Sequence, residues 1–265
     1  MCACPVPVLP SPRRQELLAF LAALGLDPEA AARADARADA DGRPGLGVVE
    51  EALTHTSARQ PWNHERLEFL GDAVLRLAAA EFLEQRHAGL RVGQRSALRA
   101  QLVSDRWLAD LGERCNLEQV WRIGAVAAGD RAGQATLRAE LCEALVGAVY
   151  ELWGGPQGGL LAALRWLTPH WQRSSDDLLA HPERHNWKSA LQEWSQPRGL
   201  GLPVYHCQEA SSLHGDPRRF HCTVSLQLPH QATVTSCEGW GASRRAAEQD
   251  AARQLLERVR PVAAD

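Results

Sequence analysis

Apolar residues along this chain recur at two different periods. From Val48 to about Trp171 they return every three or four positions, with almost no alternation, which predicts a run of amphipathic and buried helices. Residues 15–26 (QELLAFLAALGL) predict a further short helix ahead of that run, stopped near Gly25. Between them, residues 27–45 form an Ala/Arg/Asp-rich stretch of low complexity, read as a solvated helix or flexible insert. The Gly154–Gly159 stretch breaks the helical pattern once, and it lacks the Lys-Ser/Thr of a phosphate loop, so it reads as a turn. Residues 173–185 are polar, hold a proline and show no period, as expected of a linker.

Beyond the linker the pattern changes. Trp187–Trp194 predicts one short helix. Leu202–Glu209, Phe220–Leu226 and Ala232–Glu238 predict three strands separated by turn signals. Ser243–Val259 predicts a longer helix with a serine N-cap. The expected fold class is therefore an all-α domain followed by a small α+β domain of order α-β-β-β-α. Expected domain limits are 1–172, with 27–45 as the insert, and 186–262, joined by 173–185.

The densest chemistry lies in Asn63-His64-Glu65-Arg66-Leu67-Glu68-Phe69-Leu70-Gly71-Asp72-Ala73-Val74-Leu75. On a helix Glu65, Glu68 and Asp72 share one face, while Leu67, Leu70, Val74 and Leu77 are expected to pack inward on another. Like charges stacked on one stripe are destabilising unless neutralised, and a hard divalent cation with oxygen ligands neutralises them well. Glu140 and Glu143 form a second acidic pair on the apolar helix Ala139–Trp153, and Gly147 on the same stripe lets another helix approach closely. Two acidic stripes on apolar helices point to a metal site; either one alone is equally well the wet face of its helix.

These residues resemble the ribonuclease III family of double-stranded RNA endonucleases. Asn63–Leu75 is similar to the family signature, Ala52-Leu53-Thr54-His55-Thr56-Ser57 to its A-L-T-H-x-S segment, and Glu143–Ala148 to its second acidic motif. The resemblance implies metal ligation by Glu68, Asp72, Glu140 and Glu143, and a catalytic set of Asp72, Glu143 and Glu65. It implies Mg²⁺ as cofactor, with Mn²⁺ as a substitute, and a homodimer that cuts both strands. The implied products carry 5′-phosphate and 3′-hydroxyl ends, and the implied substrates include ribosomal RNA precursors. His55 and His64 are expected to be structural or solvent-facing. Two positions depart from the family pattern: Glu140 stands where Asp is usual, and Val92 where Glu is frequent. A non-cleaving duplex-RNA binder is therefore the alternative reading.

The C-terminal segment resembles a double-stranded RNA-binding domain, most specifically in Gly239-Trp240-Gly241-Ala242-Ser243-Arg244-Arg245-Ala246-Ala247. A helix N-terminus with two arginines beside it is a phosphate clamp whatever its name. The resemblance implies that Lys188, Ser189, Gln192 and Glu193 contact RNA from the first helix, His214 from the loop after the first strand, and Arg244 and Arg245 at the phosphates. Glu248 replaces a basic residue of that cluster, and the Leu213–Pro217 loop carries its histidine out of register, so binding is expected to be weaker than in a full match.

Charge alone does not reveal this. Of 29 basic residues only Lys188 is a lysine, against 32 acidic ones, for a net −3. Residues 181–265 hold 10 basic and 9 acidic residues (+1), and residues 1–180 hold 19 and 23 (−4). No run of about 18 apolar residues occurs, and Met1–Arg14 lacks the layout of a secretory signal. Seven scattered cysteines are read as reduced thiols of a cytoplasmic protein, those at 207, 222 and 237 as separate core thiols.

Overall fold

The computed structural model describes residues 9–41, 45–180, 186–213, 215–227 and 235–260. The chain divides into two compact units, Met1–Ser175 and Asp176–Asp265.

The first unit is helical. Helices α1 (Ser11–Ala23), α2 (Pro28–Asp41) and α3 (Gly47–Ala52) lead into α4 (Glu65–Arg86), α5 (Val92–Leu102), α6 (Asp105–Arg114), α7 (Ala125–Gly129), α8 (Gln134–Leu152) and α9 (Gly159–Ala180). Gly25 ends α1 in the left-handed region, at φ 78°. Helix α2 is more anchored than a solvated insert. Ala31 and Asp35, one turn apart, face inward; Asp35 takes an ion pair from Arg14 at 2.5 Å and the backbone N–H of Leu46 at 2.8 Å.

Helix α8 is apolar on nearly every side and forms the spine of the unit, which is why its burial runs continuously from Leu141 to Val149 save for Glu143. Helix α4 packs on it through Leu67, Gly71, Val74, Leu75 and Ala78. Leu77, expected inside, is 52% exposed. At about 100° per residue it lies well away from the Gly71–Ala78 stripe that sets the contact. Residues 173–180, expected as irregular linker, continue helix α9. Ser175 explains part of this: it is fully buried, donates to Gln172 O at 3.0 Å and contacts His87 Nε2 at 3.1 Å.

The second unit comprises α10 (Trp187–Ser195), β1 (Val204–Glu209), β2 (Phe220–Leu226), β3 (Thr235–Gly241) and α11 (Arg244–Val259). The sheet is antiparallel in the order β1-β2-β3. Cys222, Val224 and Leu226 alternate inward from β2 to meet Leu191, Ala247, Ala251 and Leu255. Strand β3 runs further than expected, because Gly239 and Gly241 pair opposite Cys222 and Phe220.

A further expectation is overturned. Cys207 and Cys222 are joined by a disulfide rather than standing as separate thiols. They sit directly opposite each other on β1 and β2, with Cα atoms 4.0 Å apart. Cys237 is free.

Candidate active site and RNA-binding face

The site begins with a close helix crossing. A Cβ placed on Gly71 of α4 would lie 1.9 Å from the Glu143 carbonyl oxygen, and one on Gly147 of α8 would lie 2.3 Å from the Leu67 carbonyl oxygen. Only glycine lets the two backbones touch there. The crossing brings the acidic stripe of α4 against that of α8, as the spacing of Gly147 suggests; the reciprocal part played by Gly71 is invisible in one sequence. Arg66, inside the same motif, fixes the start of α4. Its guanidinium grips Glu51 through two bonds of 3.0 Å and Glu151 at 2.6 and 3.2 Å.

Beside this crossing Glu143 feels the charges of Asp72 and Glu68, and Glu68 feels that of Glu140. Burial pushes the Glu143 carboxyl up to about 7, with Asp72, Glu68 and Asp105 adding like-charge repulsion and Arg76 opposing it. Burial also raises Glu68, with Glu140 and Glu65 as further causes. A group of carboxylates that resists full ionisation is what a bound cation relieves, and an all-oxygen donor set suits magnesium. Glu65 is exposed at the start of α4 and couples to Glu68 through charge.

Three residues join this picture that sequence reasoning left out of it. Arg76 pairs with Asp72 one turn earlier, its Nε lying 2.8 and 3.0 Å from the two carboxylate oxygens. An i,i+4 acid–base pair on an exposed face reads as routine in sequence, and only the crossing gives it meaning. His55 and His64 both direct Nε2 toward Glu140 Oε2, each at 3.6 Å. His64 is 3% exposed, so it is not solvent-facing. Val92 opens α5 and is 74% exposed.

In the second unit Gly239 and Gly241 serve packing. A Cβ on Gly239 would lie 2.1 Å from Ala251 N, and one on Gly241 would lie 2.5 Å from Ala247 N. Strand β3 and helix α11 are thereby pressed together, and Ser243 caps α11 by accepting the Ala246 N–H at 3.2 Å. Arg244 and Arg245 are both exposed on its first turn. Gln192 and Glu193 are exposed on α10, whereas Ser189 is half-buried and accepts a bond from Asn186 at 2.7 Å. Glu248 sits among the cations. It takes Lys188 Nζ at 2.6 Å and lies 3.5 Å from Arg244 Nε. His214 lies outside the described residues.

Comparison with known proteins decides the family. A family model described as Ribonuclease-III-like matches residues 47–157, and one described as Double-stranded RNA binding motif matches residues 187–259. Ribonuclease 3 of Prochlorococcus marinus is 48% identical over 214 residues, covering 81% of this chain and 82% of that protein. The chain belongs to the ribonuclease III family. Ribonuclease 3 2 of Synechocystis sp. is 37% identical over 210 residues, covering 79% of this chain and 82% of that protein. Among solved structures, the nuclease domain of ribonuclease III from Campylobacter jejuni is 28% identical and covers 58% of this chain and 94% of that domain, with a TM-score of 0.46. The two family models and the helical and α+β units give the architecture of this family, a helical nuclease domain followed by a double-stranded RNA-binding domain. No helix among the described residues is long and apolar enough to cross a membrane.

Proposed function

We propose that this protein hydrolyses phosphodiester bonds of double-stranded RNA with Mg²⁺ held by Glu68, Asp72, Glu140 and Glu143, Mn²⁺ serving as a substitute. The observation that supports the reading is the charge coupling of Glu143 to Asp72 and Glu68, and of Glu68 to Glu140, beside the Gly71–Gly147 crossing, with Glu143 raised to about 7. A bound cation there supplies Lewis acidity, lowering the pKa of the attacking water and offsetting charge on the phosphate. The chain's own residues do the rest. Asp72 and Glu143 would orient the nucleophile, and Glu143 would have to be ionised to hold the cation. Arg76, now paired with Asp72, would have to release it for metal binding, which would free its exposed guanidinium for RNA phosphates. Glu65, one turn before Glu68, completes the acidic valley.

Residues 1–172 would carry cleavage and residues 186–262 duplex recognition, with 173–185 joining them. Arg244 and Arg245 would hold phosphates at the α11 N-terminus, while Gln192 and Glu193, with Lys188 and Ser189 behind them, would face a minor groove and His214 a second. The substrates would be structured precursors, ribosomal RNA included, cut to 5′-phosphate and 3′-hydroxyl ends in the cytoplasm.

The active form would be a homodimer. Phe69, 85% exposed beside Glu68, would be covered by the second copy. Light scattering of the wild type and of Phe69→Glu tests this; a monomeric wild type contradicts it. The enzymatic reading is tested by incubating a long RNA duplex with Mg²⁺ or Mn²⁺ at millimolar concentration. Discrete shortened duplexes are expected, and binding without cleavage would leave the protein a duplex-RNA binder.

A further inference from the structure

Glu140 is approached by two imidazoles that the proposed chemistry does not use. His55 comes from the turn after α3, and His64 is the residue before α4. Their rings lie 4.9 Å apart, and His64 Nε2 also lies 3.4 Å from Glu68 Oε2. Two nitrogens and a carboxylate this close could themselves ligate a metal, since all donor atoms fall within 4.8 Å of one another. The surrounding hydrogen bonds argue against that use.

His55 Nδ1 accepts the backbone N–H of Ser57 at 3.1 Å and lies 2.8 Å from the Ser57 hydroxyl. An Nδ1 that accepts an N–H has no proton of its own, so the ring's proton sits on Nε2, the atom facing Glu140. An Nε2–H has no lone pair for a metal. His64 approaches the same Glu140 oxygen from the start of α4, with its ring almost wholly buried.

We propose that His55 and His64 are positioning residues whose Nε2 atoms hold one oxygen of Glu140 and leave the other for the cation. This rests on the metal reading given above. At 3.6 Å the contacts are electrostatic attractions, longer than hydrogen bonds. They act on Glu140, where the extra methylene of Glu over the Asp usual at this position adds a rotatable bond that something must hold.

The test is direct Mn²⁺ binding to the full-length protein, followed by the electron paramagnetic resonance of free Mn²⁺. The clamp reading expects His64→Leu to weaken binding about tenfold, the scale of lost support behind a metal ligand. His55→Gln, which can keep an N–H near the same place, should be mild. In a Glu140→Asp background, whose shorter arm does not reach the histidines, His64→Leu should add less than a twofold effect. Equal losses in both backgrounds would mark His64 as merely structural and overturn the proposal. So would imidazole-nitrogen couplings in the pulsed spectrum of Mn²⁺-loaded wild type, which would make a histidine a ligand; that measurement needs no variant to fold. Wild type that binds no Mn²⁺ at millimolar concentration would sink the metal reading itself.

Discussion

Replacing Gly71 by alanine is the smallest change that should open the site. The added Cβ would lie 1.9 Å from the Glu143 carbonyl oxygen, where ordinary contact begins at 3.4 Å. About 1.5 Å must therefore be found by moving α4 or α8, both backbone elements with no flexible side chain to yield. Overpacking of this kind costs about 1–3 kcal/mol, and a backbone clash belongs at or above the top of that range. The metal site suffers more. Ligand distances tolerate about 0.2 Å, so a shift near 1.5 Å separates the α4 carboxylates from the α8 pair. A misplacement of about 1 Å costs roughly a hundredfold in rate. Urea unfolding, Mn²⁺ binding and duplex cleavage should be measured on Gly71→Ala and on Gly93→Ala. Gly93 lies on α5 with nothing within 4 Å of its would-be Cβ, so alanine there should be neutral or stabilise by up to about 1 kcal/mol. A Gly71→Ala protein with wild-type unfolding midpoint and cleavage would refute the close crossing as the basis of the site.

Other outcomes follow from the same geometry. In the metal-free protein Glu143 titrates near 7 instead of 4.5, so the folded state holds a proton that the unfolded state has lost between those values. Stability should fall as pH rises through that window; Glu143→Gln should flatten the slope in EDTA, measured by urea midpoint at pH 5.5 and 8. Arg76→Ala removes a competitor for Asp72, so Mg²⁺ should bind more tightly while cleavage at saturating metal declines; weaker Mg²⁺ binding would contradict the pairing. Glu248→Ala frees Lys188 and Arg244, and duplex affinity in a gel shift should rise about threefold or more at low salt, with a steeper salt dependence. Reducing the Cys207–Cys222 bond opens a loop of sequence separation 15, worth up to about 3 kcal/mol, so dithiothreitol or Cys207→Ser should lower the unfolding temperature of the RNA-binding unit.

The residues that sequence pattern revealed are those whose roles are set locally. The acidic spacing of α4, the buried character of α8, the Gly154 break and the Ser243 cap depend on neighbours within a turn or two. What stayed hidden depends on partners far along the chain. Gly71 gains its meaning from the Glu143 carbonyl, and Arg66 from Glu51 and Glu151. His64 reads as a helix-start residue until Glu140 is beside it. Leu77 looked inward because the stripe was counted from Leu67, whereas the crossing at Gly71 sets the buried arc. The disulfide was missed for a related reason: register between β1 and β2 places Cys207 opposite Cys222, and register cannot be counted from spacing alone.

The claim at the centre of this account is that four carboxylates from α4 and α8 form one cation site that cleaves duplex RNA. Its most direct measurement is cleavage of a long RNA duplex in Mg²⁺ by wild type, Asp72→Asn and Glu143→Gln, with RNA binding followed in parallel by gel shift. The account predicts cleavage by wild type alone and unchanged binding by all three. Wild-type cleavage retained in both variants, or absent from the wild type while binding persists, would contradict it.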